Sequence, residues 1–369
     1  PVIKGGLNYS DPTKLFTGNS IYGQGYGRKP QVEDELKGYK LVGTLPVAGA
    51  FFSGVDFGLN LSDRSKKKRQ PEGPLEAIGA PTISGDLLYS PVDLGFSGSG
   101  IVPSFNVPGV VAKYFQPFNP SEINPGAVSR AWDVKEKVTT SFVKADIESQ
   151  WGSVGVRGNV GVQVINTDQS SSSAYVDNDS GGAVKPVSNG KTYTDVLPSM
   201  NLAFGLADGQ TVRVAAAQQI ARARIDQLRS SFEFNVDTTT RRPSASGGNP
   251  NLDPWRANAF DVSYEKYFGT KAYFAAAAYY KELKTYIYEE SRTMDFSAYT
   301  PGTIAITNQG QYTAPYNGNG GTMRGIELSA SLPLSMLTPA LDGFGVSAST
   351  SYNDSAIRVP TNGFNSSTV

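Results

Sequence analysis

Histidine and cysteine are both absent from the 369 residues. Without cysteine there is no disulfide and no thiolate chemistry, and the redox compartment stays open. Without histidine this chain alone cannot build a Ser-His-Asp triad, a histidine-ligated zinc or an imidazole general base. What remains for an enzyme is a carboxylate pair, and nothing in the spacing of Asp226, Glu233, Asp237, Glu289 and Glu290 selects two of them. No enzyme, cofactor or metal site is therefore expected. Methionine is scarce, at 4, beside 40 glycines, 19 tyrosines and 18 phenylalanines, which starves a helical reading and favours β architecture. No apolar run approaches the roughly 18 residues of a spanning helix, since the uncharged stretch Leu41–Val55 is broken by Gly43, Pro46 and Gly49. That excludes a helical membrane anchor but not a barrel, whose membrane band hides in alternation. Net charge is also lacking: 33 basic and 33 acidic residues cancel, so no field draws in nucleic acid. No signal peptide opens at Pro1, so the chain is expected to start after processing or to be an internal fragment.

What is present is alternation. Val55, Phe57, Leu59 and Leu61 oppose Asp56, Gly58, Asn60 and Ser62; Val154 to Val164 alternate against Arg157, Asn159 and Gln163; Ile326, Leu328 and Ala330 oppose Glu327 and Ser329. Further strands are predicted over 40–45, 135–148, 196–206, 211–222, 257–268, near 323–332 and near 344–353. The stretch 271–290 reads as a strand without a clear phase, with Tyr279 and Tyr280 as candidates for an aromatic girdle. Asp208-Gly209 signals a hairpin. The connections alternate short and long: residues 1–34, 70–130, 170–190, 223–255 and 291–321 read as long loops, with a short helix around Ile225–Ser231. Alternating short and long connections suit an up-and-down outer-membrane barrel with short turns on one side, whereas a soluble β-rich extracellular binding or structural protein remains the other reading.

Two motif-like stretches carry no cofactor. Gly23, Gly25 and Gly27 lack the spacing and strand-to-helix context of a dinucleotide site, and Gly190-Lys191-Thr192 lacks the glycine that a phosphate loop needs where Lys185 stands. The run Arg64, Lys66, Lys67, Lys68, Arg69 reads as a solvated strand end or as cations beside lipopolysaccharide phosphates, because a nucleic-acid patch would interleave aromatics.

The stretch Gly248-Asn-Pro-Asn-Leu-Asp-Pro254, followed by Asp261-x-Ser-Tyr-Glu-Lys-Tyr-Phe268, resembles the barrel of TonB-dependent outer-membrane receptors. Trp132–Val138, Arg157–Thr167, Val196–Leu202 and Arg324–Leu328 resemble the same family, closest to a proteobacterial branch associated with carbohydrate uptake. The resemblance implies an all-β transmembrane antiparallel barrel of 22 strands, of which about ten lie in residues 35–355 of one partial barrel domain, 1–369. It also implies an N-terminal plug with a TonB box, both without counterpart in these residues. The partners implied are the TonB complex, outer-membrane lipid and lipopolysaccharide, and a small-molecule nutrient. Siderophore uptake is the alternative within the family.

Strand phase assigns the faces. Val55, Phe57, Leu59, Val160, Val162, Phe260, Val262, Ile326 and Leu328 are expected to face lipid; Arg157, Asn159, Arg213, Asp261, Glu265 and Glu327 cannot do so cheaply and are expected to face the lumen. The long loops carry aromatics beside Asn and Asp, and Trp255, Tyr299, Tyr312, Tyr316, Phe115 and Phe118 are the candidate ligand residues. Flat rings with amide partners suit sugars; an anionic iron chelate would want a dense cationic cluster, and Arg241-Arg242 is the only adjacent arginine pair.

Overall fold

The computed structural model describes residues 10–14, 25–79, 82–98, 100–122, 125–177, 182–269, 272–299 and 305–357. In chain order these form β1 (Tyr26–Arg28), β2 (Gln31–Pro46), β3 (Phe52–Arg69), β4 (Glu72–Pro74), β5 (Leu88–Asp93), β6 (Ile101–Phe105), α1 (Val107–Tyr114), α2 (Pro125–Arg130), β7 (Trp132–Trp151) and β8 (Val154–Asp177). There follow β9 (Ala183–Leu206), β10 (Gln210–Ala221), β11 (Phe232–Val236), β12 (Pro243–Gly247), β13 (Trp255–Phe268), β14 (Ala272–Asp295), β15 (Gln309–Pro333) and β16 (Gly345–Ile357). Among the described residues no helix is long and apolar enough to cross a membrane.

Among the described residues, ten long strands make one antiparallel up-and-down sheet: β2, β3, β7, β8, β9, β10, β13, β14, β15 and β16 pair in that order, and β2 and β16 are its free edges. The β11–β12 hairpin joins beside β15 in parallel, Ser244 opposite Gln311, beyond the stretch that β16 covers. Short turns close one end. Between β9 and β10, Asp208 and Gly209 hold φ of 58° and 68°, the two left-handed residues a tight hairpin turn demands, so the Asp-Gly signal is met.

Register shows which residues share a face. Val55 lies opposite Ala145, Ala145 opposite Val160, and the row runs on through Met200, Ala216, Phe260 and Tyr280. Phe57, Val143 and Val162 form the next row; Val262, Ala278 and Ile326 another; Leu328 follows on the same face. Large apolar side chains stand bare there, Leu41 at 74%, Val196 at 55% and Ile326 at 54% exposed, which in water would be a severe aggregation liability. Toward the long-connection end this face turns charged: Lys37, Asp63, Lys137 and Asp168 share one row. The six inward candidates Arg157, Asn159, Arg213, Asp261, Glu265 and Glu327 all fall on the opposite face, where the Arg213 guanidinium meets Glu265 at 2.9 Å.

Several expectations are corrected. The segments read as loops at 170–190 and 291–321 are largely strand: β8 and β9 stay paired from Gly155↔Gly205 out to Asp177↔Ala183, and β14 and β15 out to Asp295↔Gln309. Polar residues and glycine occupy both phases there, the buried Gln169 and Ser171 as well as the exposed Ser170 and Ser172, so no apolar–polar alternation marks the pairing. Residues 31–34 belong to β2, while most of the expected 1–34 loop, the strand start at Lys271 and the polar tail after 357 lie outside the described residues. Tyr279 is no girdle residue; it faces the polar side and donates to Asn353 Oδ1 at 2.6 Å, whereas Tyr280 shares the apolar face with Phe260. Aromatics do gather at the short-turn end, where Phe51 stacks on Trp151 at 6.3 Å and Trp151 meets Phe204 at 6.2 Å. The cation run divides: strand alternation puts Arg64, Lys66 and Lys68 on the polar face with Asp34, leaving Lys67 and Arg69 on the other.

Candidate functional site

The connection between β10 and β13 folds back over the polar face instead of standing free. Two prolines and the glycine that follows β12 forbid a helix or strand over Gly248–Pro254, so its backbone groups must find partners elsewhere. The wall supplies them. Gln169 on β8, only 2% exposed, donates its carboxamide to the carbonyls of Pro250 and Leu252, each at 2.8 Å. Lys191 on β9 pairs with Asp253 at 2.7 Å, Thr285 on β14 donates to the Pro254 carbonyl at 2.6 Å, and Asn317 on β15 bonds Asp253 through both amide and carbonyl. A bulge between Arg256 and Ala257 interrupts the alternation of β13, and Arg256 reaches both Asp195 and Asp253. Leu252 is fully buried with Ile225, Leu228, Trp132, Val134 and Ile287.

Above this anchor lies a cavity of about 260 Å³. Phe232, Phe296, Tyr299, Tyr312 and Tyr316 supply rings; Asn249, Asn251 and Ser230 supply hydrogen-bonding groups. The rings brace one another: Tyr299 stands edge-on to Phe232 at 5.0 Å and to Tyr175 at 5.2 Å. Tyr312 donates to the Gly248 carbonyl at 2.8 Å, and burial raises its hydroxyl pKa far above the usual tyrosine range. The Arg292 guanidinium lies over the Tyr316 ring at 3.8 Å, and Glu290 holds Arg292 at 2.8 Å.

Of the candidates, the cavity therefore unites Tyr299, Tyr312 and Tyr316. Trp255 is not among its walls; its ring sits 6.1 Å from Tyr286 and packs on the Leu252 cluster, so the residue's bulk fills core. Phe115 and Phe118 pack against the backbone at Gly25 and Gly27, near β1 and β4. Sequence reasoning missed the wall side chains Gln169, Lys191, Asp195, Thr285 and Asn317. The only signal for them was long polar side chains on the inward phase of strands beyond the apolar band.

A second cavity of about 360 Å³ opens beside the first, with Phe232 shared between them. Arg28, Lys68, Arg130 and Arg229 line it with Asp226, Glu233 and Ser231. Next to it Glu72, 2% exposed, receives Arg130 at 2.8 Å, Arg28 at 3.3 Å, the Tyr26 hydroxyl at 2.7 Å and the Gln70 amide at 3.1 Å. Burial works to raise its pKa, but these bonds and the two guanidinium charges outweigh it and hold the carboxyl below its ordinary range. A third cleft, about 590 Å³, lies on the polar face toward the short-turn end and is lined by Arg157, Asn201, Arg213, Asp261, Tyr279 and Glu327 among others. Among the described residues no cluster of acidic side chains could hold a metal ion.

The family model described as "TonB dependent receptor-like, beta-barrel" matches residues 4–368. Among solved structures the chain is similar to the copper transporter OprC (13% identity, TM-score 0.48, 89% of this chain and 39% of that one). It is also similar to the siderophore receptor PiuA of Acinetobacter baumannii (12%, 0.47, 89% and 39%) and to the unliganded ferric citrate transporter FecA (13%, 0.45, 90% and 36%). The chain thus spans well under half the length of these proteins. No curated protein matches it.

Proposed function

Because the chain belongs to the TonB-dependent receptor family, whose members are outer-membrane β-barrels, we propose that it forms the ligand-gathering side of an active-transport receptor. The receptor binds a nutrient outside the cell and imports it to the periplasm with energy from the TonB complex, acting through a plug domain carried elsewhere. On this reading the apolar face, with Val55, Phe57, Leu59, Val160, Val162, Phe260, Val262, Ile326 and Leu328, meets lipid. The polar face lines the lumen, and the cleft around Arg157, Arg213, Asp261 and Glu327 is where a plug docks. Lys67, Arg69, Lys135 and Lys137, above the apolar band, meet lipopolysaccharide phosphates. The ten strands are part of a larger barrel, because unpaired β2 and β16 edges have no partner in hydrocarbon.

The nutrient is an oligosaccharide. The observation that supports this is the ring-lined cavity of Phe232, Phe296, Tyr299, Tyr312 and Tyr316 with amide partners Asn249 and Asn251. Flat apolar faces with a few placed hydrogen-bonding groups suit a sugar ring. Equilibrium binding on liposome-reconstituted complete receptor tests it: Tyr299→Ala and Tyr316→Ala each weaken oligosaccharide binding about tenfold, roughly 1.4 kcal/mol. Tight binding of a ferric chelate, with none for sugars, overturns the assignment.

A further inference from the structure

The cavity on the far side of Phe232 has a different chemistry from the ring-lined one. Its cations come from four separate parts of the chain: Arg28 from β1, Lys68 from β3, Arg130 from α2, and Arg229 from the connection after β10. With the ion partners Glu72 and Arg224 included, five cations meet three carboxylates, Glu72, Asp226 and Glu233. Glu72 is shared by Arg28 and Arg130, Glu233 takes the other edge of Arg130 at 3.1 Å, and Asp226 is held by Arg224 at 2.7 Å. The Lys68 ammonium has no ion partner among the described residues, and the Arg229 guanidinium donates only to the Asp226 carbonyl, at 2.9 Å. Positive charge is thus left over inside a concave, polar space. A second observation points the same way. The Ser231 hydroxyl, on a residue with 0% exposure that lines this cavity, has no hydrogen-bond partner among the described residues, and a buried hydroxyl without a partner costs free energy that an acceptor would recover.

We propose that this cavity is an oxyanion-binding site that takes a carboxylate or phosphate group of a small molecule, with Lys68 and Arg229 supplying the charge and Ser231 a hydrogen bond. Guanidinium and ammonium together suit such a group, the one for its fork of donors and the other as a point charge. The inference goes beyond the sugar assignment, since it involves none of the tyrosines of the neighbouring cavity.

Equilibrium dialysis of the complete receptor in detergent against inorganic phosphate and, separately, digalacturonate tests it. Lys68→Gln with Arg229→Gln removes charge without orphaning a buried carboxylate, and it raises the dissociation constant of whichever anion binds by tenfold or more. Lys68→Arg with native Arg229 retains binding, and Tyr316→Ala leaves phosphate binding unchanged. Binding of phosphate alone assigns a free anion, and binding of digalacturonate alone assigns an acid carried on a sugar. Absence of both, or equal affinity in the doubly substituted and native receptors, overturns the proposal.

Discussion

Replacing Gln169 by leucine tests the anchoring of the mouth segment most directly. The carboxamide nitrogen bonds two carbonyls, of Pro250 and Leu252, at 2.8 Å each, in a place where Gln169 is 2% and Leu252 0% exposed. Leucine has nearly the same volume and no donor, so packing survives and both acceptors lose their partner. An unmade buried hydrogen bond costs about 1–3 kcal/mol; with water able to enter from the nearby mouth, the two together cost about 2 kcal/mol. At 1.4 kcal/mol per decade that is roughly 30-fold in the opening equilibrium of the segment. The Asn249 amide, bonded to the Gln227 carbonyl at 2.7 Å, and the Asp253 amide, bonded to Asn317 Oδ1 at 2.8 Å, report opening by hydrogen exchange. Their exchange should accelerate about 30-fold in the Gln169→Leu receptor and remain native in Gln163→Leu, an exposed position on the same face of β8. Native exchange in Gln169→Leu would refute the anchoring argument.

Three other outcomes are expected. Leu59→Arg should destabilise the membrane-inserted receptor by about 2–4 kcal/mol in reversible urea unfolding, while Asn60→Arg, one residue along and on the polar face, is tolerated; equal effects contradict the face assignment. Burial holds the folded Tyr312 hydroxyl pKa above the ordinary tyrosine range, so the stability linked to it is complete below about pH 10, where the unfolded tyrosine titrates, and declines as pH rises further; protease nicking of 222–254 should increase above that pH in native receptor, and Tyr312→Phe should lose this contribution to the pH dependence. Cysteines at Tyr39 and Tyr352, on the two free edges, should not cross-link to each other in the complete receptor, and a β2–β16 disulfide would refute the larger barrel.

Strand existence and phase were legible wherever the two faces meet different media. Val55–Leu61 and Val154–Val164 carried both in their alternation, and the register sets the apolar and the polar candidates among them on opposite faces of the sheet. The pattern failed where the buried face is itself polar. Ser170–Ser173 and Asn317–Gly320 are strands in the structure, yet polar residues and glycine occupy both phases, so composition resembled a loop. Tyr299, Tyr312 and Tyr316 could be named but not brought together, because their grouping depends on β11 and β12 docking against the tip of β15. The four cations of the second cavity are scattered from Arg28 to Arg229, and no local window contains more than one of them. Trp255 follows Pro254, whose carbonyl Thr285 holds, and packs on the Leu252 cluster, so its residue type alone did not separate a core ring from a ligand-contacting one.

The seven residues from Gly248 to Pro254 bond side chains on β8, β9, β14 and β15, and the chain continues directly into β13. They therefore act as a chord strung across an arc. Flattening the wall would lengthen the distance between Gln169 and Asn317, and the chord, with two of its residues fixed as proline, has little slack to give. The curvature of the outer rim is thus set locally, by a tie inside the mouth, and does not have to wait for the barrel to close around its circumference.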